Sequence, residues 1–188
     1  MHRLPWRGSV VRKTLIAGVL FVLFIPAATL GAPITSLYVF GDSLSDQGNA
    51  FITTGGFPPP PYEQRASNGP VAVEVFASRL GVPLVASQSG GTNYAYVGAL
   101  TGPTVIPGTN PPFATDNYAA VAYNQPTLFG TGILNQVGSF IGSGPIFDPN
   151  GALFFVWGGA NDFFVDPSAA TAASAVNNLA TFLALLYA

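Results

Sequence analysis

Apolar and polar positions along this chain follow two rhythms, and their order predicts a parallel α/β domain. Residues 37–40 (Leu-Tyr-Val-Phe) are continuously apolar, so 36–40 reads as a short buried strand. The run stops at Gly41-Asp42-Ser43. Residues 57–62 are a proline run bounded by Phe57 and Tyr62, and must be loop. Asn68-Gly69-Pro70 then predicts a helix start, with Asn68 or Gly69 at the cap and Pro70 in the first turn. Val73, Phe76, Ala77 and Leu80 follow at i, i+3, i+4 and i+7, and Gly81 ends the helix. Residues 82–86 read as a second strand. Residues 98–130 are rich in Gly, Pro, Thr and Asn and show no period; they read as a long irregular excursion, either a substrate-facing lid or a surface loop. Leu134, Val137 and Ile141 predict a short helix stopped by Gly142-Ser143-Gly144-Pro145. Residues 152–157 are the clearest buried strand. Asp166-Pro167 predicts the start of a last helix, with Asp166 as cap and Val176, Leu179, Leu183 and Leu186 on one face.

Strand and helix alternating three times is the order of a parallel sheet. Three strands make a narrow sheet, and the last helix runs apolar to Ala188 without a cap. The expectation is a domain truncated at its C-terminus, a fragment of a longer reading frame. The alternative is a small protein whose last helix docks at the end.

The length, 188 residues, suits one domain. Charge is uneven: Arg3, Arg7, Arg12 and Lys13 crowd the start, and the body keeps only Arg65 and Arg79 against eight Asp and Glu. The basic start, the apolar run 15–25, Pro26 and the small residues after it have the order of a secretory signal peptide. That run is shorter than the ~20 residues a spanning helix needs. Residues 1–32 are therefore expected to be a signal peptide, with an uncleaved anchor as the alternative, and 33–188 an incomplete domain. Export places the chain in the extracellular space or the periplasm. The body has no basic stripe, which argues against nucleic acid. Cysteine is absent, which excludes disulfides, thiolate metal sites and a cysteine nucleophile. No metal-ligand cluster and no cofactor-binding loop is legible. The one histidine, His2, lies inside the expected signal peptide.

Three chemistry-bearing segments each follow a predicted strand: Gly41-Asp42-Ser43-Leu44-Ser45-Asp46, Gly90-Gly91-Thr92-Asn93-Tyr94-Ala95-Tyr96-Val97-Gly98-Ala99, and Gly159-Ala160-Asn161-Asp162. Strand C-terminal ends are where ligands gather in open α/β sheets. Alone, Gly-Asp-Ser also makes ordinary turns and Asn-Asp ordinary caps. In this order, the three segments resemble the GDSL, or SGNH, family of serine esterases and lipases, over the body from Leu37 onward. The flanking words Gly48-Asn49, Ser67-Asn68-Gly69-Pro70 and Asn93-Tyr94-Ala95 are similar to its secreted lipase, phospholipase and haemolysin branch.

The resemblance implies a three-layer α/β/α domain with a mainly parallel, flavodoxin-like sheet. It implies Ser43 as nucleophile, the Gly98 N–H and the Asn161 side-chain amide as oxyanion donors, and a small-molecule or lipid ester as substrate, with contact to a membrane surface as an option. Asp42 and Asp162 are expected to shape turns, and Asp46 and Asp166 to be exposed or capping. One departure is Val97, where the family often carries a second glycine. Another is the family's Asp-x-x-His element, which has no counterpart here. A serine hydroxyl needs a base to take its proton, so this chain alone is expected to turn over esters poorly. The competing function is a non-catalytic binding module on the same scaffold; a weaker one is an exported structural protein.

Overall fold

A computed structural model of the chain describes residues 33–106 and 113–187. The signal-peptide expectation for residues 1–32 lies outside the described residues. In chain order the elements are β1 (Ser36–Gly41), α1 (Asn49–Thr54), α2 (Ala72–Leu80), β2 (Ala99–Ile106), β3 (Phe113–Asn117), α3 (Tyr118–Ala122), α4 (Ile133–Gly142), β4 (Ala152–Trp157), α5 (Ala160–Val165) and α6 (Ala169–Leu186).

β1 is the spine. It pairs in parallel with β4, from Ser36 opposite Ala152 to Gly41 opposite Trp157. Its other edge is filled by the extended segment 92–96: Val39 N–H donates to Thr92 O (3.0 Å), and Tyr94 N–H donates to Val39 O (2.7 Å). That segment in turn pairs with 85–87, through Asn93 N–H to Val85 O (3.0 Å) and Ser87 N–H to Asn93 O (2.7 Å). Both contacts are parallel. The second strand expected over 82–86 is therefore reduced to one bridging residue, Ala86, and the segment beside β1 is the Asn93 motif itself. A strand so short, bounded by Gly81 and Gly91, has no room for more ladder bonds.

Successive β1 side chains face opposite ways, and both faces are covered. Tyr38 and Phe40 enter an aromatic cluster: Phe40 lies 5.0 Å from Phe182 and 5.7 Å from Phe140, centroid to centroid, and Tyr38 stacks on Phe154 at 5.1 Å. Leu37 and Val39 pack instead on Val73 and Ala77 of α2. Burying Phe40 fully is worth about 1.5–3 kcal/mol, which is why β1 holds its register so firmly.

Several expectations are corrected. The excursion 98–130 holds the antiparallel hairpin β2–β3 and α3; Ala99 pairs with Asn117 and Thr104 with Thr115, with an irregularity between. Helices α2 and α6 begin two residues later than expected. Their N-caps are Val71 and Ser168, so each proline sits just before the cap rather than inside the first turn. Glu74 reaches back to accept the Val71 N–H (2.9 Å) and pairs with Arg65. Asp166 accepts from the hydroxyls of Ser168 and Thr171 (both 2.9 Å), which ties down the α6 start one step removed. In α2, Phe76 is exposed, leaving Val73 and Ala77 as the buried face. In α4 the buried face is Ile133, Gln136, Val137 and Phe140, with Ile141 outside. In α6 Ala175 and Phe182 are buried, and Leu179 and Leu186 of the expected face pack partly against the same core, whereas Val176 and Leu183 are exposed at 65% and 47%. β4 is half-buried along its length, not fully buried, because among the described residues only one of its edges carries a strand.

Candidate active site

The first motif turns because Gly41 ends β1 at φ 155°, where any Cβ would strike the Trp157 carbonyl. Asp42 then organises the turn. Its carbonyl accepts from Ser45 and Asp46 N–H (both 3.0 Å), and its Oδ1 accepts from Leu44 N–H (3.0 Å). Asp42 Oδ2 is buried without a partner among the described residues. Burial lifts the Asp42 carboxyl above its ordinary range, against the pull of the Leu44 N–H, and the nearby Asp162 charge adds to the rise. Ser43 sits at the turn's apex, half-buried, and its N–H has no partner among the described residues.

Asp46 is fully buried, which corrects the exposed alternative. Its carboxylate accepts the N–H groups of Gly48, Asn49 and Ala50 at the start of α1, and across the chain the N–H of Val97 at 2.9 Å. Burial raises its pKa, and these N–H bonds oppose the rise. One carboxylate thus locks the serine turn to the second motif. Asn93 adds a second lock, with Nδ2 donating to Ser45 O at 2.8 Å.

The second motif presents Gly98. Val97 O accepts from Asn117 Nδ2 (2.9 Å), and Gly98 O accepts from Tyr118 N–H (2.7 Å). Because a trans peptide is planar, holding the Val97 carbonyl also aims the Gly98 N–H the opposite way. That N–H has no partner among the described residues, although Gly98 is buried. Buried backbone N–H groups are nearly always paired, so an open one beside a cavity is informative. The position accepts only glycine: φ is +78°, and a Cβ would lie 2.6 Å from both Ala119 N and Asn117 Oδ1.

The third motif follows β4. Gly159 (φ +107°) is the N-cap residue of α5, which sets Asn161 in its first turn. Asn161 Nδ2 donates to Ala99 O at 2.9 Å. A carbonyl only accepts, so the amide's orientation is set, and its second N–H remains without a partner among the described residues. Asp162 accepts from Thr101 N–H (3.0 Å) and Thr101 Oγ1 (2.6 Å), anchoring α5 to β2. The turn-shaping role expected of Asp162 is replaced by this long-range anchor.

Ser43, Gly98 and Asn161 line one cavity of about 400 Å³. All three residues singled out in the sequence are brought together there. A larger, polar cleft of about 600 Å³ lies elsewhere and holds none of them. Its Ser87, Ser139 and Ser143 hydroxyls donate to Asn49 Oδ1, Asn135 O and Phe140 O.

Three positioning residues escaped the sequence reading. Gln136, buried on α4, accepts the Gly41 N–H (2.8 Å) and donates to Gly41 O (2.9 Å). Asn117 is described above. Asn49 donates to Asn93 O (2.7 Å) and Ala95 O (2.9 Å). No local signal in the sequence marks these amides; only long-range contacts give them meaning. Among the described residues no group of acidic, histidine or cysteine side chains could hold a metal ion.

Residues 37–187 match the family model described as GDSL-like Lipase/Acylhydrolase. The chain is also 37% identical over 89 residues to Lipase 1 of Photorhabdus luminescens. That stretch is 47% of this chain and 13% of the relative's length.

Proposed function

The chain belongs to the GDSL-like lipase/acylhydrolase family, and from that premise we propose that its site cleaves carboxylic esters with Ser43 as nucleophile. The Ser43 hydroxyl adds to the ester carbonyl carbon as a base takes its proton. The carbonyl π electrons move to oxygen, and the resulting oxyanion accepts the N–H groups of Ser43, Gly98 and Asn161. Collapse expels the alcohol, which takes back a proton and leaves an acyl group on Ser43; water then releases the acid. Donors fixed in advance cost no reorganisation as charge develops, and losing one typically costs about 3 kcal/mol of barrier lowering. What supports this reading is a single observation: three donors without partners among the described residues, on three distant segments, line one cavity with one serine hydroxyl.

Residues 37–187 contain no histidine. Carboxylates titrate near ~4, too low to serve well as a base for an alcohol at neutral pH. With no imidazole among residues 37–187, the chain alone reacts slowly. The finer expectations travel with this proposal: an exported protein, a three-layer α/β/α arrangement, and a lipid or small-molecule ester as substrate. The missing imidazole is also the observation that favours the second reading, a binding module that uses the same cavity without turnover.

A fluorophosphonate probe tests the choice. The hydrolase reading expects slow labelling of the chain, accelerated by added imidazole and abolished in Ser43→Ala. Equal labelling of the Ser43→Ala variant would defeat it.

A further inference from the structure

We propose that this cavity selects esters bearing a planar aromatic group, in preference to saturated chains of similar size. The inference rests on the ester-hydrolase reading for its chemistry, but not for its binding. Four rings run in unbroken contact along the cavity: Phe57 to Tyr123 at 5.5 Å, Tyr123 to Tyr118 at 6.3 Å, and Tyr118 to Phe164 at 6.0 Å between centroids. Tyr123 and Phe164 are 57% and 70% exposed, so much of their ring surface has nothing packed on it.

Among the described residues no charged side chain lines the cavity. Beside the Ser43, Gly98 and Asn161 donors, the lining is mostly aromatic and apolar, with Tyr62, Tyr118 and Tyr123 adding neutral hydroxyls. A ligand with one polar carbonyl and an uncharged remainder fits that lining, whereas a charged headgroup would lose its hydration without gaining an opposite charge. At about 400 Å³ the cavity is near the small end of ligand pockets. It suits one ring on a short linker better than an extended acyl chain. Aromatic pairs gain from offset or edge-to-face contact beyond the burial of area, and a flat ligand ring can meet this strip in either geometry. A saturated ring gains burial only.

Benzyl alcohol and cyclohexylmethanol separate the two effects, because both are neutral and similar in size. The saturated alcohol is the more apolar, so burial alone favours it. Titration of each into the full chain, followed by NMR shifts of the tyrosine and phenylalanine rings, is expected to show benzyl alcohol bound about two- to ten-fold more tightly. Tyr123→Leu and Phe164→Leu are each expected to shrink the ratio, and the double variant to abolish it; both positions are largely exposed, so the fold tolerates them. Equal or tighter binding of cyclohexylmethanol to the unmodified chain would overturn the proposal. So would a benzyl preference that survives the double variant. Ser43→Ala must retain the preference; its loss there, with the rings intact, would also overturn it. If the preference holds and Ser43 proves unreactive toward the fluorophosphonate, the nucleophile assignment fails and this one stands.

Discussion

The Asn117 side-chain amide donates to the Val97 carbonyl at 2.9 Å, and through the plane of one peptide it fixes the direction of the Gly98 N–H. The same side chain caps α3, its Oδ1 accepting from Ala119 and Ala120 N–H. The two jobs can be separated. Asn117→Asp keeps the cap acceptor and loses the donor, leaving the Val97 carbonyl facing a carboxylate. A loss of about 3 kcal/mol in chemical denaturation is expected. Fluorophosphonate labelling of Ser43 at native conditions should slow as well. Slowing without destabilisation, or the reverse, would separate the structural role from the positioning one.

Gln136 grips Gly41 by both its N–H and its carbonyl, one residue before the serine turn. Gln136→Leu should cost about 2–3 kcal/mol, because the buried Gly41 N–H then has no acceptor. Gln136→Glu carries a pH signature. Its second oxygen would face the Gly41 and Thr131 carbonyls now served by Nε2. Protonated, it donates; ionised, it repels. Its folded pKa is therefore raised, and the stability it supplies is present at low pH and lost as pH rises through that value. Measured relative to the unmodified chain, the urea midpoints at pH 5 and pH 8 should diverge for Gln136→Glu and not for Gln136→Leu.

Asp42 keeps a buried, unpartnered oxygen in the native turn. Burial raises its folded pKa above the ordinary 3.8. The native state thus holds the proton to higher pH than the unfolded chain does. Its contribution to stability is complete below the unfolded pKa and is lost as pH rises through the folded one. Asp42→Asn retains an acceptor for Leu44 N–H and removes the titration. Relative to the unmodified chain, the variant should gain stability from pH 4 to pH 8, read as a difference of urea midpoints. A constant difference across that range would contradict it.

Much of the site was legible because its parts are local words. Gly41-Asp42-Ser43 and Gly159-Ala160-Asn161 each follow an apolar strand, and β1 and β4 are continuous apolar runs. The hairpin β2–β3 was not legible. Gly102 and Pro103 interrupt its alternation, and it is held from outside by Asp162 on Thr101 and by Asn178 on Thr101 Oγ1 at 3.1 Å. Half of the expected α6 face, Val176 and Leu183, turned outward because the helix is apolar on several sides. Periodicity then cannot choose, and the side that buries is the one where Ala175 allows close approach and Phe182 meets Phe40. Gln136 was invisible for the opposite reason. A polar residue on an apolar helix face reads as a solvent position until its partner, ninety-five residues away, is known.

The central claim is that Ser43, Gly98 and Asn161 act on one carbonyl. Mass spectrometry of the chain after exposure to p-nitrophenyl acetate with added imidazole tests it most directly. The account predicts a single acetyl group on Ser43, none in Ser43→Ala, and accumulation about a hundred-fold slower in Asn161→Ala, the typical cost of one oxyanion donor. Acetyl groups scattered over the tyrosine side chains and Lys13, or an Asn161→Ala variant acylated as fast as the unmodified chain, would contradict it.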